Sequence, residues 1–303
     1  MQNTHVLFVG RPYIDFTVVP PEQMPIRDEK SVAVAHSISF GGGAAAGAFC
    51  CAKLGIKPDF IGTLTEDWLG RMFRDMAAAY GVALHERETS ETAWSLIMPN
   101  DGYRAIVRCR DEQCVGDFPK LELTDFQAVH LDGHQPDAAL HYAKLGRERD
   151  ILTSLDGGSL RHNTDEILIF IDVAVVSERL CEQMGFGPAE MLQYLRSKGC
   201  KVGAVTLGDR GLVWYEKKGV VRSMSAIPVP SEKVVDSNGA GDIFHGAYMF
   251  SYLRRPEAPW EEHFRFATFA AAHSVQFLGI EAGLPTLANI EAAMRSRPVA
   301  VGQ

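Results

Sequence analysis

Asp236-Ser237-Asn238-Gly239-Ala240-Gly241-Asp242 is the stretch on which the reading of this chain turns. An apolar pair, Val234-Val235, leads into small residues, and a helix begins near Gly241. The first N–H groups of a helix have no intrahelical partner and carry partial positive charge, so such a turn can hold an oxyanion or a phosphate. Gly239 and Gly241 let a ligand approach the backbone closely, and Asp242 follows in the first turn. There a carboxylate can take a proton from a hydroxyl while the N–H groups hold a migrating phosphoryl group. On local grammar alone Asp242 reads equally well as an ordinary first-turn helix acid.

Outward from this turn, short apolar runs alternate with longer helical patterns. Strands are expected at 6–9, 59–61, 128–131, 151–155, 173–176 and 202–207. Helices are expected at Gly43–Leu54, 67–80, 189–198, 241–253 and 264–277. Strand-then-helix alternation implies βαβ units and a mainly parallel sheet covered on both faces. Such a sheet binds ligands beyond the carboxyl ends of its strands. Two segments break the rhythm. Residues 31–40 alternate with period two, and 92–98 turn at Asn100-Asp101-Gly102 into 103–110, which is hairpin chemistry. Together they predict a small β layer that closes over a cleft as a lid.

The chain has 303 residues, 46% of them hydrophobic and 22% charged, ordinary values for a globular α/β protein. A net charge of −8 leaves no basic stripe to neutralise phosphates along a nucleic acid. Cys50, Cys51, Cys109, Cys114, Cys181 and Cys200 form no CxxC pair and read as reduced thiols. The first ten residues pass directly into a strand with no charged leader, and no apolar run nears the ~20 residues of a membrane helix. A cytoplasmic protein without membrane or nucleic-acid partners is expected.

The 236–242 segment resembles the DTxGAGD signature of the ribokinase (PfkB) family of carbohydrate kinases, and further matches follow in order along nearly the whole chain. The resemblance implies a ribokinase-like three-layer α/β/α domain spanning 1–303, with a mainly parallel sheet and a small β-sheet lid at about 12–40 and 92–113. It implies Asp242 as catalytic base, the backbone of Gly239, Ala240 and Gly241 as anion hole, and Asp236 beside a monovalent cation such as K⁺. Gly41, Gly42 and Gly43 resemble the family's diglycine turn beneath the substrate, although Ala46 stands where the family often has Asn. Asp15 resembles an aspartate that binds substrate hydroxyls, with Arg11 beside it. Ser177-Glu178 resembles an Asn-Glu element that positions Mg²⁺ through water, with Ser in place of Asn. Thr206, Gly208 and Gly211 resemble the nucleotide-binding turn, and Ala272 and Gln276 lie in a segment resembling the border of the adenine site. Neither a Walker loop nor a GxGxxG run is present.

The expected reaction is transfer of phosphate from Mg·ATP to a primary hydroxyl of a small sugar. The details look closest to the fructokinase, ketohexokinase and sulfofructose kinase branch, which implies a ketose-type substrate. A nucleoside kinase, with Tyr13, Phe16 and Trp94 as the wall for a base, is the runner-up, and a silent sugar-binding protein of the same fold is the non-enzyme alternative. His130 and His134 show an HxxxH spacing but sit at a strand end, so they do not share a face. His245 reads as a packing residue, and Asp156, ending a strand, is a candidate to face the phosphates. Lys30, Arg104, Arg108 and Arg110 are candidates to bind an anion, the three arginines sharing one strand face, unless that face is simply solvated. The exposed edge of the lid predicts a homodimer formed lid to lid.

Overall fold

A computed structural model describes residues 5–22, 27–100, 103–110, 113–217, 219–296 and 301–302. Its large sheet begins with β1 (His5–Val9), whose neighbours in space are β4 (Asp59–Leu64) on one side and β8 (Phe126–Leu131) on the other, both parallel to it. Beyond β8 lie β9 (Leu152–Gly157), β10 (Val173–Ser177) and β11 (Val202–Thr206), all parallel. Beyond β4 lies β5 (Ala83–Glu88), also parallel.

Alternation along the central strands builds two cores. Val6 and Phe8 of β1 face one cluster with Val173 and Val175 of β10, whereas Leu7, Val9, Ala174 and Val176 face the other. Strands buried on both faces read as continuous apolar runs, which is why they were visible in the sequence. The first cluster is covered by α1 (Gly43–Leu54), α7 (Ala240–Arg254) and α8 (Trp260–Ser274). The second is covered by α3 (Pro136–Glu148), α5 (Glu178–Met184) and α6 (Pro188–Ser197). Helix on sheet on helix gives the three layers that the alternation predicts.

A second sheet has four strands in the order β3 (Ala35–Gly41), β2 (Tyr13–Val19), β6 (Trp94–Asn100) and β7 (Tyr103–Cys109). β6 and β7 pair antiparallel with Asn100 opposite Tyr103, so the expected hairpin is present, although Asp101 and Gly102 of its turn lie outside the described residues. β2, one of the two inner strands of this layer, lies within the expected 12–40 segment but was not singled out as a strand. The expected strand at 31–40 is confined to Ala35–Gly41.

Two further differences have simple causes. The helix expected at 264–277 runs instead from Trp260 to Ser274, opening after Pro259 with Glu261 and Glu262 in its first turn. Pro cannot continue a preceding helix and acids favour the start of the next, so the boundary falls there. At the other edge, β12 (Leu212–Glu216), β13 (Arg222–Met224) and β14 (Val301–Gly302) add antiparallel strands to β11. These strands are short and lack a period-two signal of their own.

Candidate active site

Parallel register brings the carboxyl ends of the strands into one row. Val9 pairs with Leu131, Leu131 with Leu155, Val176 with Gly157, and Ser177 with Thr206. The residues that follow or close those strands therefore stand along a single edge: Gly10 and Arg11, Asp132, Asp156, Ser177 with Glu178, and Thr206. The turn before α7 and the β2–β3 pair of the small sheet meet this edge.

Gly239 caps α7 in the left-handed region at φ 75, a conformation that costs glycine little. It leads into a helix whose first turn carries Asp242. Asp236 shapes the approach: its Oδ1 accepts from Asn238 N at 2.8 Å and its Oδ2 from Gly279 N at 3.1 Å. The carboxylate is 3% exposed, so its work in this structure is to staple the turn to the segment after α8. Asn238 then donates from Nδ2 to Asp15 Oδ2 at 3.3 Å, joining the turn to β2.

Asp15 is buried on β2 beside Gly41, where a Cβ would lie 2.2 Å from Asp15 Oδ2. Burial pushes the Asp15 carboxyl up to about 6, the Asp242 charge adds to that, and Ser95, Asn238 and Arg108 oppose it. Gly42 has φ 96 and its Cβ would meet the Arg11 carbonyl at 2.1 Å, so the turn into α1 admits no side chain. A Cβ on Gly43 would lie 2.5 Å from Asp156 Oδ2. The glycine run thus lies directly against Asp15 and Asp156. Ala46, by contrast, is wholly buried in the core.

Asp156 therefore lies against Gly43 and His245. Its Oδ1 is 3.4 Å from His245 Nε2. The pKa values of Asp156 and Asp242 are both raised, by burial first; Asp156 raises Asp242, and Asp132 raises both. Arg108 and Arg104 pull Asp242 the other way. A carboxylate raised this way is a stronger base than one in water, once ionised. His245 continues inward: its Nδ1 lies 3.0 Å from the Tyr248 hydroxyl, which lies 2.6 Å from Ser154 Oγ, itself 3.0 Å from His130 Nδ1. His130 and His245 are thus members of one buried polar chain.

Asp132 was missed in the sequence. Its Oδ2 accepts from the backbone N–H of Arg11 and of Ala44, each at 3.3 Å, and its Oδ1 from His134 N at 2.9 Å. Burial alone would raise its pKa, but His134 and Arg161 hold it well below the usual carboxylate range. It closes β8 in Leu131-Asp132-Gly133 just as Asp156 ends β9 in Leu155-Asp156-Gly157, and that shared grammar was the signal available. Asn238 and Ser95 gave no such signal, because an amide or a hydroxyl in a turn or strand is common.

Toward the other end of the row, Ser177 caps α5, accepting from Leu180 N at 3.2 Å and donating to Gly158 O at 3.0 Å. Glu178 opens α5 and pairs with Arg210 of the 3₁₀ turn Gly208–Arg210. Thr206 ends β11, and its hydroxyl donates to Val176 O at 3.3 Å. Gly211 has φ 93, and a Cβ there would meet the Met224 carbonyl at 2.0 Å. Gln276 folds back to donate to Ala272 O at 2.9 Å. A separate surface pocket, lined by Phe126, Arg149, Ile151, Tyr252 and Arg254, lies at the opening ends of β8 and β9, away from this row.

Residues 3–287 match the pfkB family of carbohydrate kinases. The chain is 27% identical to ribokinase of Lactococcus lactis over 175 residues, which span 57% of this chain and 56% of that protein. It is 24% identical to ketohexokinase of Mus musculus over 271 residues, 83% of this chain and 90% of that one. The structure of Arabidopsis thaliana ribokinase complexed with ribose and ATP superposes with a TM-score of 0.76 at 25% identity, covering 97% of this chain and 99% of that one. No described helix is long and apolar enough to cross a membrane. With that match running through both the glycine turn and the Asp242 turn, the chain belongs to the pfkB family of carbohydrate kinases, which are ATP-dependent sugar kinases.

Proposed function

We propose that this kinase transfers the γ-phosphoryl group of ATP to a primary hydroxyl of a small ketose-type sugar. The observation that carries the reading is the placement of Asp242: in the first turn of α7, beside the N–H groups of Gly239, Ala240 and Gly241, and electrostatically coupled to Asp15 and Asp156. The sugar lies between Asp15, the Gly41–Gly43 turn (residues 41–43) and the small sheet, which acts as a lid. Asp15 accepts hydrogen bonds from its hydroxyls. Asp242 takes the proton of the attacking hydroxyl as its oxygen bonds to the γ-phosphorus; the bond to the bridging oxygen breaks, and ADP leaves with that electron pair. The helix N-terminus holds the phosphoryl oxygens in transit.

The nucleotide is assigned to Thr206, Gly208 and Gly211, with Ala272 and Gln276 at the adenine. Mg²⁺ usually keeps several waters and takes few protein carboxylates. Glu178, on the rim of the row opposite Arg210, suits such an outer position. K⁺ is assigned to the loops that Asp236 staples together. The magnesium ion neutralises phosphate charge when bound; the chain's own residues position the hydroxyl and accept its proton.

The nucleoside alternative finds its aromatic wall already engaged. Phe16 and Trp94 pack on each other at 5.9 Å, and Tyr13 lies under Arg108. ADP release with Mg·ATP across ketoses, aldoses and nucleosides, with and without K⁺, tests the reading. Turnover on a ketose is expected, turnover on nucleosides alone would replace it, and ATP binding without any turnover would favour a silent binder. We further assign a homodimer to the lid, whose edge strands expose Ile38 and Val107. Light scattering that gave a monomer at micromolar concentration would remove it. Reduced cysteines throughout are consistent with a cytoplasmic setting.

A further inference from the structure

The small sheet turns a row of arginines toward the cleft. Period two puts Arg104 and Arg108 on one face of β7, and Arg110 follows directly after its last residue. Arg104 goes to the phosphoryl side, where it donates to Ser237 Oγ at 2.8 Å. Arg108 and Arg110 converge instead on Tyr13. The Arg108 guanidinium stands 5.4 Å from the ring centroid, and Arg110 Nη1 donates to the phenolic oxygen at 3.3 Å.

From the large sheet, His134 meets the same ring edge-on at 6.4 Å. His134 is 8% exposed, and its Nε2 has no hydrogen-bond partner among the described residues. Its Nδ1 faces Asp132 Oδ1 at 3.1 Å. Burial first, and then the charges of Arg161 and Arg11, lower the His134 pKa, while Asp132 opposes them. Two arginines from the small-sheet side and an imidazole from the large sheet therefore meet at one tyrosine, in a chain whose net charge is −8. Arg108 makes no ion pair among the described residues, although its charge reaches both Asp15 and Asp242. On the sugar-kinase reading, that reach puts its charge beside the bound sugar.

We propose that the substrate carries an oxyanion group (carboxylate, sulfonate or phosphate ester) remote from the hydroxyl that is phosphorylated, and that Arg108, Arg110 and His134 recognise it around Tyr13. This rests on the sugar-kinase reading above. Guanidinium groups match such anions in a planar, two-pronged geometry. An arriving anion also offsets the arginine field at His134 and favours its protonated form, in which Nδ1 donates to Asp132 and Nε2 donates to the anion.

The test compares D-fructose and D-ribose with fructose 6-phosphate, 6-deoxy-6-sulfofructose and gluconate. ADP release is measured with Mg·ATP, and direct binding by calorimetry without ATP. An acidic probe should exceed both neutral sugars in kcat/KM by about tenfold or more, and Arg108→Gln should lower that acid-to-neutral ratio by about tenfold, the effect of losing one charge-assisted contact. Arg110→Gln should lower it in the same direction. Matched melting curves establish that the variants are folded. A neutral sugar equal to or better than every acidic probe would overturn the proposal, as would an Arg108→Gln loss shared equally by acidic and neutral probes. If no probe turns over, the kinase reading falls and calorimetry decides the subsite. Binding of an acidic probe that Arg108→Gln abolishes sustains it, and no binding by any acidic probe overturns it.

Discussion

Arg104 of β7 donates to the hydroxyl of Ser237 at 2.8 Å, bridging 133 positions of sequence and joining the small sheet to the turn that starts α7. The small sheet and the turn that starts α7 thus share a direct contact. Both side chains are exposed enough for solvent to weaken the bond, so it is worth about 1 kcal/mol at most. Arg104→Gln is expected to lower kcat/KM for the sugar by roughly fivefold or less on that basis. In a double-mutant cycle, adding Ser237→Ala should change little further, because both substitutions remove the same contact. Additive losses would mean that Arg104 serves the phosphates and not Ser237.

Asp242→Asn should fold and bind ATP yet lose ~10²–10⁴ in kcat, the usual effect of removing a positioned general base. Thermal shift with Mg·ATP checks binding, and ADP release checks rate. Near-normal kcat would remove Asp242 from the base role.

The paired acids predict a pH dependence. Folding raises the pKa values of Asp242 and Asp156, through burial first; the Asp156 charge adds to the rise at Asp242, and Asp132 adds to both. A base acts only when ionised, so kcat/KM should fall on the acid side well above the ~3.9 of a free aspartate. Asp156→Asn deletes the neighbouring charge and should move that limb to lower pH. A raised folded pKa means that stability is full below the unfolded value and is lost as pH rises through the folded one. The same variant should therefore melt higher than wild type at pH 8. An acid limb that stays in place would show that Asp156 does not set the base.

Gly246→Ala tests how α1 and α7 hold the two ligand turns together. A Cβ there would lie 2.5 Å from the Gly47 carbonyl oxygen and 2.6 Å from Cys50 Cβ. Backbone cannot yield cheaply, so a loss of about 1–3 kcal/mol is expected, as for other overpacked cores. Calorimetric melting reads it as a drop of several degrees. An unchanged melting temperature would mean that the helices separate freely, and the turns with them.

Much of this protein was written locally. Doubly buried strands announce themselves as apolar runs, and the glycine-rich turn before Asp242 carries its own anion chemistry, since neither needs a distant partner to be recognised. The arginine spacing of β7 was legible for the same reason, whereas Asp15 read as an acid just past the first strand and the structure places it within β2 of the small sheet. What only the tertiary structure decided is which of these groups meet. Asp132 and Asp156 become neighbours of Gly43 through parallel register, across long stretches of sequence, and His245 reaches Asp156 from α7. Asn238 finds Asp15 and Arg104 finds Ser237 in the same way. The edge strands β12–β14 were also invisible, because their hydrogen bonds, and not their sequence pattern, define them. Propensity and period are properties of a few consecutive residues, whereas a pKa shift or a shared hydrogen bond depends on how the chain returns to the same point in space.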